Sequence, residues 1–282
     1  MQQNPPGSKR PPLDNEDRNF DDLAPRFARN VYGGLKGRLR LAVLQRDFND
    51  HVQPLLDSAS GLEILDAGGG QGQFGLSLAG RHALTLCDIS AEMLALARAE
   101  AQQRNLEGVA FEHASVQDLA QRSEHCARYR LVLCHAVLEW VADQRGLLVN
   151  LKELVCPGGV LSLTFYNRHG LVMKNLLRGT EPKILSGEFR PHRGSLTPTR
   201  PLDPAEVLSW LADDGWEILC HSGIRVFHDY QLTPESRHMA PDKLEALELQ
   251  LSQQEPYRSL GRYQHVLLRR PSLPSTSNAI VS

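Results

Sequence analysis

Apolar positions along the chain change period near residue 61. Before it, Phe20, Leu23, Phe27 and Val31 recur at helical spacing, and a second helix is expected through "RLRLAVLQRDFNDHVQPLL" after the Gly33-Gly34 break. After it, short apolar runs alternate with helical segments. "LEILDAGGG" reads as a strand and glycine loop, "QFGLSLAGR" as a helix, "ALTLCDIS" as a strand, and "AEMLALARAEAQQRN" as a helix with Ser90 as its N-cap. "VAFEHAS", "YRLVLCHAV" and "GGVLSLTFYN" continue as strands, separated by helices at "VQDLAQRSE" and "RGLLVNLKELV". Such alternation implies right-handed βαβ units and a parallel sheet covered by helices on both faces.

Past Asn167 the pattern loosens. Helices are expected at "GLVMKNLLRG", "PAEVLSWLADDG" and "PDKLEALELQLSQQE", and strands at "WEILCHSGIRVFHDY" and "GRYQHVLLRR". The expected fold is α/β, with a seven-stranded, mostly parallel sheet and an N-terminal helical layer. The organisation reads as a disordered tail (1–16), the helical layer (17–60), a Rossmann-like core (61–167), a substrate-side part that completes the sheet (168–270), and a second disordered tail (271–282).

Composition adds three constraints. No run of about 18 apolar residues offers a membrane span, and the N-terminus lacks the apolar stretch of a secretory signal, so a cytoplasmic protein is expected. The five cysteines form no CxxC pair and sit mostly in apolar runs, which predicts buried thiols rather than a disulfide framework or a metal site. The formal net charge of −2 conceals an uneven distribution. Residues 18–40 carry six Lys/Arg against two acids, residues 168–200 seven against two, and residues 258–270 four against none, whereas residues 203–255 hold eleven acids against three bases. Three basic segments that meet in space make a polyanion site; the acidic segment is expected to lie away from it.

The loop "ILDAGGGQGQFG" allows two registers. Gly70-x-Gly72-x-x-Gly75 satisfies the dinucleotide pattern. Asp66-x-Gly68-x-Gly70-x-Gly72, with Asp88 at the end of the next strand, is the register of class I S-adenosylmethionine-dependent methyltransferases. A pyrophosphate wants free backbone N–H groups and no nearby carboxylate. A methyl donor carries an ammonium and a sulfonium, which tolerate or use an acid such as Asp66. Asp88 suits the ribose hydroxyls of either cofactor, or merely caps the next helix. "SVQD" (115–118) falls where such enzymes contact adenine, and His135 lies at the carboxyl end of the central strand, where open α/β sheets bind ligands.

The chain as a whole resembles the bacterial tRNA 5-carboxymethoxyuridine methyltransferases. The resemblance rests on "RNFDDLAPRFARNVYGGLKGRLR", "LDAGGGQGQ", "HAVLEWVAD", "PGGVLSLTFYNRHGLVMKNLL", "GIRVFHDY" and "QEPYRSLGRYQHV", and spans nearly all of residues 17–270. It implies the Rossmann-like class I methyltransferase fold and methyl transfer from S-adenosylmethionine to the carboxylate of 5-carboxymethoxyuridine at the tRNA wobble position. It also implies cofactor contacts at Arg40, Gly68, Gly69, Asp88, Val116, Gln117 and His135, beside the Asp66 read from the loop. No metal is implied. A carboxylate is already ionised at neutral pH, so no general base is expected and the work is positioning and desolvation. Tyr166, Arg168, Arg225 and Arg262 are candidates for orienting that carboxylate or nearby phosphates. The basic segments would then grip an anticodon stem-loop. Three alternatives are a small-molecule methyltransferase of quinone-biosynthesis type, an RNA-binding scaffold without turnover, and a dehydrogenase.

Overall fold

Ile64, Leu65 and Ala67 are fully buried, as is every residue from Leu131 to Cys134, so the strands that carry them have no solvent face. Strands buried on both sides require helices above and below. The computed structural model describes residues 16–21, 34–186, 197–198 and 200–272. Expectations for a helix through Phe27 and Val31, and for the tails at 1–15 and 273–282, fall outside the described residues.

Seven strands form one sheet among the described residues: β1 (Glu63–Ala67), β2 (Ala83–Asp88), β3 (Val109–His113), β4 (Tyr129–His135), β5 (Val155–Tyr166), β6 (Glu217–Ile224) and β7 (Tyr263–Arg269). Their order is β3-β2-β1-β4-β5-β7-β6. β1 to β5 pair in parallel, while β7 runs antiparallel to both β5 and β6. The helices, in chain order, are α1 (Gly34–His51), α2 (Gln53–Asp57), α3 (Ala91–Gln103), α4 (Val116–Ala120), α5 (Gln144–Leu154), α6 (Arg168–Leu177), α7 (Glu181–Ser186), α8 (Pro204–Asp213), α9 (Pro234–Arg237), α10 (Pro241–Leu251) and α11 (Tyr257–Leu260). Val43, Leu44 and Phe48 of α1 pack with Ile64, Leu131 and Leu267 in one core. Leu119 of α4, Leu147 and Leu151 of α5 and Val207 and Leu211 of α8 join Leu65, Val132 and Leu161 in the other. Ser90 caps α3 by accepting from the Met93 amide, as its sequence position predicts.

Three local expectations are corrected. "QFGLSLAGR" makes only a 3-10 turn at Gly75–Ser77, because the segment has glycines at 75 and 80 and too few residues between them to propagate a helix. Residues 16–21 carry no helix; the stretch that includes Phe20 crosses the sheet edge as an irregular strap. The strand expected through "RVFHDY" stops at Ile224, since Arg225 adopts φ 60° and turns the chain away from the ladder.

Beyond β6 the substrate-side part is seated by a junction made almost wholly of backbone. A Cβ on Gly261 would lie 2.7 Å from Gly223 Cα and 2.9 Å from both Ile224 N and Tyr263 O. A Cβ on Gly170 would lie 2.8 Å from Gly261 O. Asn167 donates from Nδ2 to the carbonyls of Ser259 (2.8 Å) and Gly261 (2.7 Å), and Arg262 from Nη1 to Gly170 O (3.1 Å). Gly261→Ala is therefore expected to destabilise the fold by about 1–3 kcal/mol, the cost of overpacking where no side chain can move aside. A thermal-denaturation comparison with the parent checks it.

Candidate active site

The glycine loop follows β1 and is set by two carboxylates of different character. Asp88, at the end of β2, accepts from the Gly70 amide through Oδ2 and from the Ser90 amide through Oδ1, each at 2.8 Å. It thereby fixes both the loop and the start of α3. Asp66 lies beneath the loop, nearly fully buried. A Cβ on Gly69 would fall 2.5 Å from Asp66 Cγ, and one on Gly75 2.3 Å from its Oδ2, so glycine at both positions lets the main chain close over the carboxyl. Burial, then the Asp88 charge, push the Asp66 carboxyl up to about 7, against the hydrogen bond from the Gly75 amide.

Above the loop is a partly open cavity. Gly68, Gly69, Gly70 and Asp88 line one side, Met93, Val116 and Gln117 another, and His135 with Trp140 and Leu147 complete it. The strap of residues 16–21 covers it with Asp17, Arg18 and Phe20. Asp17 accepts from the Ala142 amide (2.7 Å) and from Gln117 Nε2 (3.1 Å), linking two strand-end loops. Phe20 packs edge-on against Trp140, with ring centroids 4.9 Å apart. A polar glycine floor with one acid, facing apolar walls, matches a molecule with a hydroxylated ribose and a flat base.

Next to the cavity lies a buried group of cations. The Arg40 guanidinium stands 4.4 Å over the Tyr263 ring, and Arg262 stands 5.0 Å over Tyr166. The two tyrosines pair across β5 and β7 with centroids 5.1 Å apart. Arg225 is ion-paired with Asp229, whose Oδ2 also lies 3.8 Å from Arg262 Nε. Burial alone would raise the Asp229 carboxyl, yet His228, Arg225 and Arg262 hold it well below the usual range. Lys174 of α6 joins them: burial, and repulsion from Arg262, bring its ammonium down to about 8. The 225–230 turn is held by Glu248 of α10, whose carboxylate accepts from the amides of Val226 (2.7 Å), Phe227 (2.9 Å) and His228 (2.7 Å).

Of the residues singled out from the sequence, Gly68, Gly69, Asp88, Val116, Gln117 and His135 share the cavity, while Asp66 lies under it and Arg40 stands beside it over Tyr263. Tyr166, Arg225 and Arg262 fall in the cationic group; Arg168 does not, being exposed and paired with Asp203. The acidic segment is not remote from the basic ones, as charge counting had suggested. Asp203 pairs with Arg168, Asp242 and Glu245 with Arg38, and Glu255 with Arg258, because each acid meets its arginine across a turn or on a neighbouring element. Nor are all the thiols buried: Cys126 is exposed and Cys156 partly so. Sequence reading missed Asp17, Lys174, Asp229 and Glu248. "FHDY" had flagged Asp229 only as part of a motif; nothing local marks Lys174 or Glu248, whose partners lie far along the chain.

Comparison with known proteins gives consistent findings. Residues 58–192 match the family model described as a methyltransferase domain. The chain is 43% identical over 258 residues to an Escherichia coli protein named tRNA 5-carboxymethoxyuridine methyltransferase, covering 91% of this chain and 97% of that one. An Acinetobacter baumannii ubiquinone biosynthesis O-methyltransferase is 33% identical over 111 residues, 39% of this chain and 46% of that one. Among solved structures, the magnesium protoporphyrin IX methyltransferase from Synechocystis with bound SAH aligns with TM-score 0.55 at 18% identity, covering 89% of this chain and 95% of that one. The [4+2]-cyclase SpnF aligns with TM-score 0.58 at 17% identity, covering 92% and 100%. Both support the Rossmann-like class I methyltransferase fold.

Asp88→Ala removes the loop's carboxylate acceptor and is expected to weaken S-adenosylhomocysteine binding roughly 10- to 100-fold, the range for losing a charged hydrogen bond. Isothermal titration of parent and variant measures it.

Proposed function

The chain belongs to the tRNA 5-carboxymethoxyuridine methyltransferase family, and from that membership we propose that it methylates the carboxylate of 5-carboxymethoxyuridine at tRNA wobble position 34, forming 5-methoxycarbonylmethoxyuridine. The methyl donor is S-adenosylmethionine. The observation that carries the assignment of substrate chemistry is the surplus of positive charge beside the cavity, buried at Arg225 and Arg262 and half-buried at Lys174. Among the described residues, Lys174, Arg225 and Arg262 face one acid, Asp229, so the group is short of negative charge until an anion enters.

When bound, S-adenosylmethionine supplies an electrophilic methyl on a sulfonium. Gly68, Gly69 and Gly70 would give its methionyl end close access to backbone, Asp88 would accept from ribose hydroxyls, and Val116 with Gln117 would flank the adenine. His135 and Arg40 complete the donor side. Arg225 and Arg262 hold the substrate carboxylate in a fixed orientation, and Tyr166, stacked under Arg262, keeps that guanidinium in place. Arg168 acts outside this group, on a phosphate of the stem-loop. Water is kept off the nucleophile by the tyrosine pair and the strap, which favours an otherwise weak carboxylate nucleophile. No residue is required to remove a proton.

The tRNA is gripped by the basic segments, through phosphate contacts whose strength falls with salt. Among the described residues no helix is long and apolar enough to cross a membrane. With tRNA as substrate, the cytoplasm is where the enzyme works.

The decisive experiment incubates the protein with labelled S-adenosylmethionine and tRNA lacking the ester. Label recovered in 5-methoxycarbonylmethoxyuridine is the expected result; label in a lipid extract and none in tRNA would overturn the assignment. In the same assay Arg262→Lys is expected to lower kcat/KM by about 10²-fold, since lysine cannot reproduce the guanidinium's planar fork. The pH dependence has a definite sign. Lys174 is charged below about 8 and neutral above it, so the KM for tRNA should rise between pH 7.5 and 9. Lys174→Met should flatten that rise.

A further inference from the structure

A line of hydrogen bonds passes through the sheet from the cavity to α1. His135 Nε2 lies 2.8 Å from Ser162 Oγ, Ser162 Oγ lies 2.9 Å from His265 Nε2, and His265 Nδ1 lies 2.7 Å from Asp47 Oδ2. Asp47 Oδ1 accepts from Arg46 Nη2 at 2.7 Å and from Gln253 Nε2 at 3.2 Å. Ser162, His265 and Asp47 are each fully buried. They sit on β5, β7 and α1, and only His135, on β4, reaches the cavity.

Donor and acceptor roles along this line are determined by chemistry. Burial alone would raise the Asp47 carboxyl, but the hydrogen bond and charge of His265, then the Arg46 guanidinium, hold it at about 2, so it is an anion and accepts only. His265 Nδ1 must therefore carry a proton. Arg46 also pairs with Asp47, so a cationic His265 would be a second positive charge beside one carboxylate. In the neutral form of His265, Nε2 is an acceptor. Ser162 has one proton, and it goes to His265. The serine oxygen is left to accept, and the group that donates to it is His135 Nε2–H.

We propose that Asp47, His265 and Ser162 are positioning residues that lock His135 as the neutral, Nε2-protonated tautomer, so that its Nδ1 lone pair is offered to the methyl donor. Nδ1 has no hydrogen-bond partner among the described residues, and the ring lines the cavity. Burial, with His265 and Arg40 nearby, keeps the imidazole well below its usual range, so it stays uncharged. A neutral acceptor suits a cofactor with an ammonium, hydroxyls and a sulfonium; an imidazolium would repel two of those groups. The inference rests on the cavity holding S-adenosylmethionine, as proposed above.

Full-length protein labelled with 15N in histidine tests it. Long-range 1H–15N correlation shows which ring nitrogen is protonated, and His135→Gln identifies the His135 signals by their loss. The parent is expected to show His135 protonated at Nε2 and bare at Nδ1. Ser162→Ala should give mixed tautomers at His135 and weaken S-adenosylmethionine binding by about three- to tenfold, one hydrogen bond's worth. Asp47→Asn should mix the tautomers as well, from two residues further away. A merely structural role would lower thermal stability and leave the tautomer unchanged. A His135 protonated at Nδ1 in the parent, or a Ser162→Ala variant with parental tautomer and affinity, overturns the proposal; the parent spectrum decides it even where a variant does not fold. If the parent binds no S-adenosylmethionine, the functional reading fails, and the spectrum still reports separately on the relay.

Discussion

Strand direction is the constraint on which everything else in this molecule depends. Five parallel strands all end at one edge, so Ala67, Asp88, His113, His135 and Tyr166 emerge together, and the cavity forms where the chain leaves β1, β2 and β4. β7 is reversed, and it therefore contributes its beginning rather than its end to that edge. The Tyr166–Tyr263 pairing follows, and Arg262 is delivered to the same place. β6, antiparallel to β7, runs with the other five and brings Ile224, then Arg225, to it as well. One reversed strand thus converts a cofactor fold into a site with a cationic neighbour.

Buried acids then fix the loops that strand direction alone leaves loose. Asp66 sits under the glycine loop, Asp88 ties it to α3, Glu248 gathers three successive amides of the 225–230 turn, and Asp229 joins Arg225 to Arg262. Each of these carboxyls costs desolvation that its amide or guanidinium partners must offset, and removing one partner would leave a buried group unsatisfied. The loops around the cavity and the cationic group are therefore tied down by buried acids.

Much of the sheet could be read from local pattern, because Val, Leu and Ile runs bounded by glycine or by a helix cap have few other solutions; Ser90 is an example. The failures have physical causes. "QFGLSLAGR" has apolar residues at helical spacing, yet Gly75 serves the closure over Asp66 and the chain is turned before a helix can form. Arg225 lies in an apolar, strand-like run, and only its left-handed backbone ends β6. Within the site, residues on strand ends were accessible to sequence reasoning, since their place follows from the fold. Lys174, Glu248 and the Asp47–His265 pair were not, because their roles arise from partners about 20 to 220 residues away that no short window contains.

The junction of Gly170, Gly223 and Gly261 has a bearing on how the enzyme can evolve. A Cβ at any of the three would meet main chain within 3 Å, so a change there has little room to be absorbed by a side chain moving aside. Drift at these three positions is closed off one by one, while the surrounding lysines and arginines remain free to be traded for other cations. Lineages that adapt to different tRNAs would then vary the charged rim and keep an unchanging glycine hinge-point beneath it.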